Sequence, residues 1–240
     1  MSVAGTAKPT AQQQRSVRVA ARALARAGLV HAYGHCSLRL DEQHFLVCTA
    51  KPMGLITSKD LGRVVPVHGD LPNGVLGEVR IHQQIYRRRK DVGGIVRSMP
   101  RDVMTLSAAG LTPMPRHGMG TYFSPGVPLW NDIQLVRTDR QAQGVADQLD
   151  VHPAVVMRGN GAVVAGKDLA MAVALTWYLE DAARVELQLR AAGLASLDGV
   201  VSPGQAKLRA TSAGRIFERM WAYLAADDPE WSEDLATEVI

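Results

Sequence analysis

The sequence has few of the features that mark secreted or membrane-spanning proteins. Only two cysteines occur among 240 residues, Cys36 and Cys48, and because their spacing is not ligand-like we expect reduced thiols. No apolar run approaches the length of a membrane span, and the first residues lack the apolar core of a secretion signal. We therefore expect a cytoplasmic protein with no membrane partner.

Aromatic residues are also scarce, at 5% of the chain. The formal net charge is +4, but the charged residues are scattered and form no basic stripe with interleaved rings. The composition therefore predicts no nucleic-acid partner, and a solvated basic surface that suits an anionic small molecule.

Hydrophobic residues make up 47%, enough for one core. We expect a disordered segment over residues 1–10 and a single domain over residues 11–240, with a helical extension from about residue 201.

The stretch over residues 77–100 changes from helical to strand periodicity and ends in a polar turn. Apolar residues at three- and four-residue steps after Glu78 predict one helix face, and residues 93–96 predict a short buried strand. Arg97 and Ser98 follow at the carboxyl end of that strand. Ligands commonly bind at this end of strands in α/β folds, so the stretch predicts a site there.

The flanking segments predict further elements of an α/β chain. Helices are predicted over residues 11–28, 101–110, 138–149, 167–192 and 202–226, with a brief one capped at 58–60. Strands are predicted over residues 34–40, 45–48, 64–67, 154–157 and 162–165. The Pro- and Gly-rich residues 111–128 predict short strands and loops.

These segments resemble the class II aldolase/adducin family. The family carries the motifs E-x-x-x-H-x-x-I-Y, G-N-x-S and R-G-H-G-x-V-V-x-G, and the chain is similar to them at residues 78–86, 34–37 and 158–166. The resemblance covers roughly residues 12–195 in the family's order and spacing. It implies an α/β fold of three layers, with a central, mostly antiparallel β-sheet flanked by helices. It also implies a homo-oligomer, commonly a tetramer.

The family's divalent metal site is not reproduced in this sequence. The resemblance places three histidine ligands where this chain has Arg97, Met99 and Asn160. A guanidinium cannot lose its proton to coordinate, a thioether is a poor ligand for zinc or magnesium, and one amide oxygen is insufficient. No H-x-H pair supports a different site built from other histidines. We therefore expect no catalytic metal and no cofactor.

Three residues are predicted to be catalytic. The resemblance implies that Glu78 is a general acid/base; the alternative is a surface glutamate at a helix start. Arg97 would supply positive charge in place of the metal, or else form a salt bridge with Glu78 or Asp102. His117, in the Pro- and Gly-rich loop, is a candidate for acid/base work or for a hydrogen bond to substrate.

A further set of side chains is predicted to bind the oxygen atoms of the substrate. The set is His35, Ser37, Thr49, Lys51, Ser98, Asn160 and Tyr122. Other interpretations stay open, namely a capping histidine at 35, a solvated lysine at 51 and a left-handed turn at Asn160. We expect His82 to make a structural hydrogen bond.

Together these features and the family resemblance predict a metal-independent carbon–carbon lyase. The turn over residues 158–166 and the loop over residues 117–128 most resemble the branch of the family that includes aromatic-acid decarboxylases, which implies decarboxylation in preference to retro-aldol cleavage. Leu76 and Gly77 stand where sugar-phosphate aldolases carry two serines, so the small-molecule carboxylate substrate is expected to be unphosphorylated, and aromatic or hydroxylated. One alternative is a dehydratase, hydratase or isomerase that uses the same glutamate. Another is a non-catalytic scaffold like the adducin head domain, which a side-chain-filled pocket would favour.

Overall fold

A computed structural model describes residues 7–232 and 234–237. Seven strands in these ranges form one sheet: β1 (His35–Arg39), β2 (His44–Val47), β3 (Arg63–Pro66), β4 (Gly94–Ser98), β5 (Leu129–Trp130), β6 (Ala154–Met157) and β7 (Ala162–Gly166). Their order across the sheet is β3-β2-β1-β4-β7-β6-β5. Neighbouring strands are antiparallel except β5 and β6, so the predicted mostly antiparallel sheet is confirmed.

Helices make up the other layers. They are α1 (Ala11–Arg26), α2 (Arg80–Arg88), α3 (Arg101–Ala108), α4 (Asp139–Leu149), α5 (Leu169–Ala191), α6 (Pro203–Arg209), α7 (Ile216–Ala225) and α8 (Asp234–Thr237). Thr10, Thr138 and Asp168 accept backbone hydrogen bonds at the starts of α1, α4 and α5. No helix in the ranges above is long and apolar enough to cross a bilayer.

Strand β4 lies at the centre of the core, and all five of its residues are buried. Val96 packs in a cluster with residues of α1, α5 and α7, whereas Ile95 packs with residues of α2 and α4. Because neighbouring strand residues point to opposite faces, helices cover both faces of the sheet. At Gly94 a Cβ atom would lie 2.4 Å from backbone atoms of Leu169, so glycine permits α5 to begin directly against the strand.

Two predicted helices are wrong. Residues 58–60 form a turn, in which Asp60 accepts hydrogen bonds from the backbone and hydroxyl of Thr57. The helix predicted over residues 202–226 is broken into α6 and α7, because Gly214 and Arg215 adopt positive φ angles of 74° and 56°. Of the segment predicted to be disordered, residues 1–6 lie outside the described residues, and Thr10 is ordered as the cap of α1.

Candidate active site

A cavity of about 820 Å³ lies at the carboxyl end of β4. Segments that are distant in the chain meet there: the loop into β1, the loop after β2, the turn before α2, the end of β4, the segment before α4 and the β6–β7 turn. Its polar lining is His35, Lys51, Glu78, Arg97, Arg137 and Asn160. Arg137 was not predicted, but the other five residues of this polar lining were, and they therefore meet around one cavity.

Arg97 is the centre of this site. Its Nη2 lies 3.1 Å from Oε2 of Glu78 and donates to Oδ1 of Asn160 at 2.9 Å. The Arg97 side chain is 2% exposed, while that of Glu78 is 20% exposed. Burial lowers the pKa of Arg97, and the charge of Glu78 and its hydrogen bond oppose that shift. The salt bridge between Arg97 and Glu78, one of the two interpretations given above, is thus present, and it lies inside the cavity.

The orientation of the Asn160 amide follows from its partner. Arginine has donors but no acceptor, so the amide oxygen must face Arg97 and the amide nitrogen must face away. That nitrogen, Nδ2, is buried and has no hydrogen-bond partner within the described ranges. Nε of Arg97 is likewise buried and has no hydrogen-bond partner within those ranges. The site therefore contains two buried donors that the rest of the described chain leaves unsatisfied.

Local backbone structure places these groups. Glu78 lies in the 3₁₀ turn Gly77–Val79 that precedes α2, and its Oε1 accepts from the backbone N–H of Val136 at 3.3 Å. The left-handed turn expected at Asn160 is wrong, because Gly159 and Gly161 carry the positive φ angles of 60° and 77°. A Cβ atom at Gly161 would lie 2.0 Å from the Ser98 carbonyl oxygen, so glycine lets the turn close against β4.

His35 connects the cavity to a buried polar chain. Its Nδ1 lies 2.9 Å from Nε2 of His82, whose Nδ1 lies 2.7 Å from Oγ of Ser37. That hydroxyl lies 3.0 Å from the hydroxyl of Tyr86. Burial, then the charge of Arg97, lowers the pKa of His82 to about 3. Burial, followed by His82 and Arg97, holds the pKa of His35 well below its usual value. The expected structural hydrogen bond of His82 is present, and Ser37 lies behind it, away from the cavity wall.

Three other predicted ligands differ in their placement. Lys51 lines the cavity, but its ammonium lies 2.6 Å from Oδ1 of Asp60 and lowers the pKa of that carboxyl to about 2. Thr49 is half-buried beside it and does not line the cavity. Ser98 is fully buried at the end of β4, and its hydroxyl has no partner within the described chain.

His117 and Tyr122 lie outside the cavity lining. His117 Nε2 is 2.7 Å from Oδ2 of Asp181, and its Nδ1 accepts from the backbone N–H of Gly120 at 3.3 Å, so both ring nitrogens are engaged. The Tyr122 hydroxyl donates to the carbonyl of Thr211 at 2.6 Å. Within one chain these residues do not meet Glu78, and their part in the site stays a prediction.

The rim of the cavity is apolar and was not predicted. Tyr33, Leu76 and Leu135 line it with side chains that are 67%, 40% and 48% exposed. Arg137 and the backbone N–H of Val136 come from the same segment before α4. No motif marks that segment in the sequence, and only the packing of α4 against α2 brings it to Glu78.

The donor set does not fit a divalent cation. Arg97, Met99 and Asn160, at the positions where the family resemblance implies histidine ligands, do line one cavity together. However, the buried guanidinium carries positive charge into that position, and its Nη2 already occupies the amide and carboxylate oxygens. Across residues 7–232 and 234–237, no group of three or more His, Cys, Asp or Glu side chains is placed to hold a metal.

Comparison with known proteins places the chain in a family. A model of the class II aldolase and adducin N-terminal domain matches residues 15–187. A 3,4-dihydroxyphthalate decarboxylase of Terrabacter sp. is 30% identical over 210 residues, which cover 78% of this chain and 85% of that protein. The protein of the same name from Arthrobacter keyseri is 29% identical over 202 residues, 77% of this chain and 82% of that one.

A solved structure agrees with this assignment. The L-fuculose-1-phosphate aldolase of Thermus thermophilus aligns with a TM-score of 0.67 and 28% identity, over 78% of this chain and 98% of that one. The predicted three-layer α/β fold is therefore confirmed, as is the resemblance to the class II aldolase/adducin family. The chain belongs to the class II aldolase and adducin family.

Proposed function

We propose that this protein is a metal-independent decarboxylase of a small, unphosphorylated aromatic carboxylate that carries neighbouring hydroxyl groups. The broader class, a carbon–carbon lyase of the class II aldolase type, follows from the family match and from relatives named as decarboxylases. One observation carries the finer proposal. A buried guanidinium is paired with Glu78 inside a cavity, next to hydrogen-bond donors that lack a protein partner.

The charge of the cavity favours an anionic ligand. Its lining contains three cationic side chains, Lys51, Arg97 and Arg137, and one carboxylate, Glu78. Lys51 is partly neutralised by Asp60, but an excess of positive charge remains. A cleft of one sign of charge raises the local concentration of ligands of the other sign. A carboxylate fits this cavity, and the apolar rim suits the face of an aromatic ring.

The unsatisfied donors explain how such a ligand would be held. A buried donor without a partner costs roughly 1–3 kcal/mol, which an acceptor supplied by a ligand recovers. Nε of Arg97 and Nδ2 of Asn160 are donors of this kind, and both belong to residues of the cavity lining. We assign them to the oxygen atoms of the substrate, either of its carboxylate or of the neighbouring hydroxyl.

The reaction follows from these positions. Glu78 first delivers a proton to the ring carbon that bears the carboxylate, while the oxygen at the neighbouring ring position supplies the electron pair and becomes a carbonyl. The bond between that carbon and the carboxylate then breaks, carbon dioxide leaves, and the electron pair restores the aromatic ring with negative charge returned to the oxygen. Arg97 stabilises the negative charge on that oxygen, and a fixed cation in a water-poor site does this well. Glu78 then recovers a proton from water, which completes the cycle.

The alternative of a non-catalytic scaffold fits the site less well. A scaffold would be expected to fill its pocket with side chains, whereas this chain keeps a cavity of about 820 Å³ beside Glu78 and Arg97. Buried donors without partners are also costly to retain in a site with no ligand.

A carbon dioxide assay tests the proposal. Purified protein is incubated with 3,4-dihydroxyphthalate, and the release of carbon dioxide and of the monocarboxylic product is measured. We expect turnover by the native protein and a loss of about 10²-fold or more in Glu78→Gln. The matched control is Asp139→Asn, which removes an exposed carboxylate that pairs with Arg80 outside the cavity. Unchanged turnover in Glu78→Gln would eliminate the assignment, and formation of a dehydrated product without carbon dioxide would favour the dehydratase alternative.

We further propose a homo-oligomer. Support comes from the family resemblance and from the exposed apolar side chains at the cavity rim, Tyr33, Leu76 and Leu135, because contiguous exposed apolar surface commonly marks an interface. Sedimentation of the active protein tests this. A monomer with complete activity would contradict it.

A further inference from the structure

Four buried side chains form a line that leads from the cavity into the core. They are His35, His82, Ser37 and Tyr86, joined by contacts of 2.9, 2.7 and 3.0 Å. We propose that Tyr86 and Ser37 fix the tautomers of the two histidines, so that His35 presents an Nε2–H donor to an oxygen atom of the substrate. The nature of that oxygen, a hydroxyl or oxyanion beside the scissile carboxylate, rests on the proposed function.

The direction of the line is set at its inner end. The Tyr86 hydroxyl can donate to either of two oxygens of Ser37. Oγ lies 3.0 Å away and the carbonyl oxygen 3.3 Å away, so Oγ is the closer acceptor. A phenol is a stronger donor and a weaker acceptor than an alkyl hydroxyl. The guanidinium of Arg39, 4.5 Å above the Tyr86 ring, strengthens this by drawing electron density from the oxygen. We therefore assign the Tyr86 hydroxyl proton to Oγ of Ser37.

This direction fixes the positions of the hydroxyl proton of Ser37 and of the ring protons of His82 and His35. Ser37 has a single hydroxyl proton, which goes to Nδ1 of His82 at 2.7 Å. Burial keeps His82 neutral at physiological pH, because its pKa falls to about 3, so its one proton sits on Nε2. This nitrogen donates to Nδ1 of His35 at 2.9 Å. His35 is neutral for the same reason, and its own proton is therefore on Nε2.

Nε2 of His35 is the one end of the line left without a partner in the described residues. His35 lies opposite Arg97 in the β1–β4 register, so the two side chains share one face of the sheet. Both residues line the cavity. We therefore assign the His35 N–H to the same substrate oxygen that Arg97 holds.

The line orients protons and does not conduct them. Burial raises the pKa of Tyr86, and a neutral phenol buried in the core neither releases its proton nor accepts a second one. A proton entering at His35 would have no exit at the other end. Tyr86, Ser37 and His82 are accordingly positioning residues. A neutral imidazole N–H of this type can stabilise a developing oxyanion without giving up its proton.

Nitrogen NMR of the ligand-free protein tests the tautomers directly. In protein labelled with ¹⁵N at histidine, between pH 6 and 8, the account predicts protonated Nε2 and unprotonated Nδ1 for both His35 and His82. Tyr86→Phe removes the donor that sets the direction, so we expect a second tautomer to appear at both rings. Ser37→Ala serves as a second variant should Tyr86→Phe fold poorly. Protonated Nδ1 at His35 in the native protein, or tautomers unchanged in both folded variants, would overturn the inference.

Kinetics on the proposed substrate supply the second readout. Tyr86→Phe should lower kcat about 10-fold with little change in KM, because the donor is misoriented while the cavity is intact. His35→Leu should lower kcat further than His35→Gln, whose amide N–H restores a donor. The control is Tyr178→Phe, a buried tyrosine in a different cluster. Failure of the proposed function would show as unchanged turnover in Glu78→Gln, with the tautomers still as predicted. Failure of this inference alone would show as loss of turnover in Glu78→Gln with native kcat in Tyr86→Phe.

Discussion

The guanidinium of Arg97 and the carboxylate of Glu78 lie 3.1 Å apart at the end of β4, with the cation almost fully buried and the acid partly open to the cavity. Water can solvate Glu78 if Arg97 is removed, but it cannot easily solvate Arg97 if Glu78 is removed. The two residues therefore depend on each other unequally, and this asymmetry can be measured.

Single and double substitutions test this dependence through stability. Removing one partner of a buried pair leaves an unpaired charge and costs roughly 3–5 kcal/mol, so we expect a loss of this size in Glu78→Gln, which leaves the buried guanidinium unpaired. Arg97→Met should cost less, because the carboxylate that it leaves unpaired is partly exposed. In the double variant with Arg97→Met the two effects should not add, with a coupling of about 1–3 kcal/mol. Urea unfolding measures all three variants. Additive losses would mean that the pair is not energetically coupled.

Arg97→Lys tests whether charge alone is sufficient. Lysine keeps the positive charge but loses the planar fork that bridges Glu78 and Asn160, so kcat/KM on the proposed substrate should fall about 10²-fold. The matched control is Arg89→Lys, since Arg89 makes a two-point pair with the exposed Asp91 and neither residue lines the cavity. Native activity in Arg97→Lys would show that the geometry of the guanidinium is not required.

A cluster of ion pairs connects α1 to the segment that follows α7. Asp228, 5% exposed, accepts from Arg22 at 2.8 and 2.6 Å and from Arg26 at 2.9 Å. Asp228→Asn would remove the carboxylate shared by Arg22 and Arg26, but Arg22 keeps Glu230 as a partner at 2.8 Å and the Arg26 side chain is 34% exposed. We therefore expect a loss of roughly 1–3 kcal/mol in the free energy of unfolding. Asp234→Asn, in an exposed pair with Arg15, should cost about 1 kcal/mol or less. Equal losses in the two variants would contradict this account.

The buried histidines make stability depend on pH. In the unfolded chain His35 and His82 bind protons near their usual pKa of 6.5, whereas burial lowers the pKa in the folded protein, to about 3 for His82. The unfolded state therefore binds more protons as the pH falls from about 6.5 towards 3, and stability decreases in that window by about 1.4 kcal/mol per pH unit for each histidine. Thermal unfolding of His82→Gln should show a weaker dependence on pH between 6.5 and 4.5. An unchanged dependence would contradict the shift.

The residues that sequence reasoning found share one property, which is that a short motif carries them. Glu78 and Arg97 lie in one stretch that links a helix to the central strand, and Asn160 lies in a glycine-rich turn. Arg97 and Asn160 meet because β4 and β7 are neighbours in the sheet, and Glu78 is placed by the turn that precedes α2. The motifs predicted that these side chains belong to one site, and the structure brings them to one cavity.

Partners that are distant in the chain could not be predicted in this way. His117 reads as an available histidine in a loop, yet Asp181, 64 positions later on α5, engages it. Ser37 shares a strand face with His35 but lies one step deeper, where His82 intervenes. The ion pair between Arg22 of α1 and Asp228 also depends on tertiary packing alone. Composition and periodicity report which faces are buried, and not which polar groups meet there.

The most direct test of the central claim is carbon dioxide release by protein whose metal content has been measured. After chelation to well below one metal ion per chain, the account predicts unchanged turnover of the proposed substrate, and it predicts loss of turnover on substitution of Glu78 or Arg97. Turnover that disappears on chelation and returns with a stoichiometric divalent ion would contradict the claim that a guanidinium supplies the positive charge.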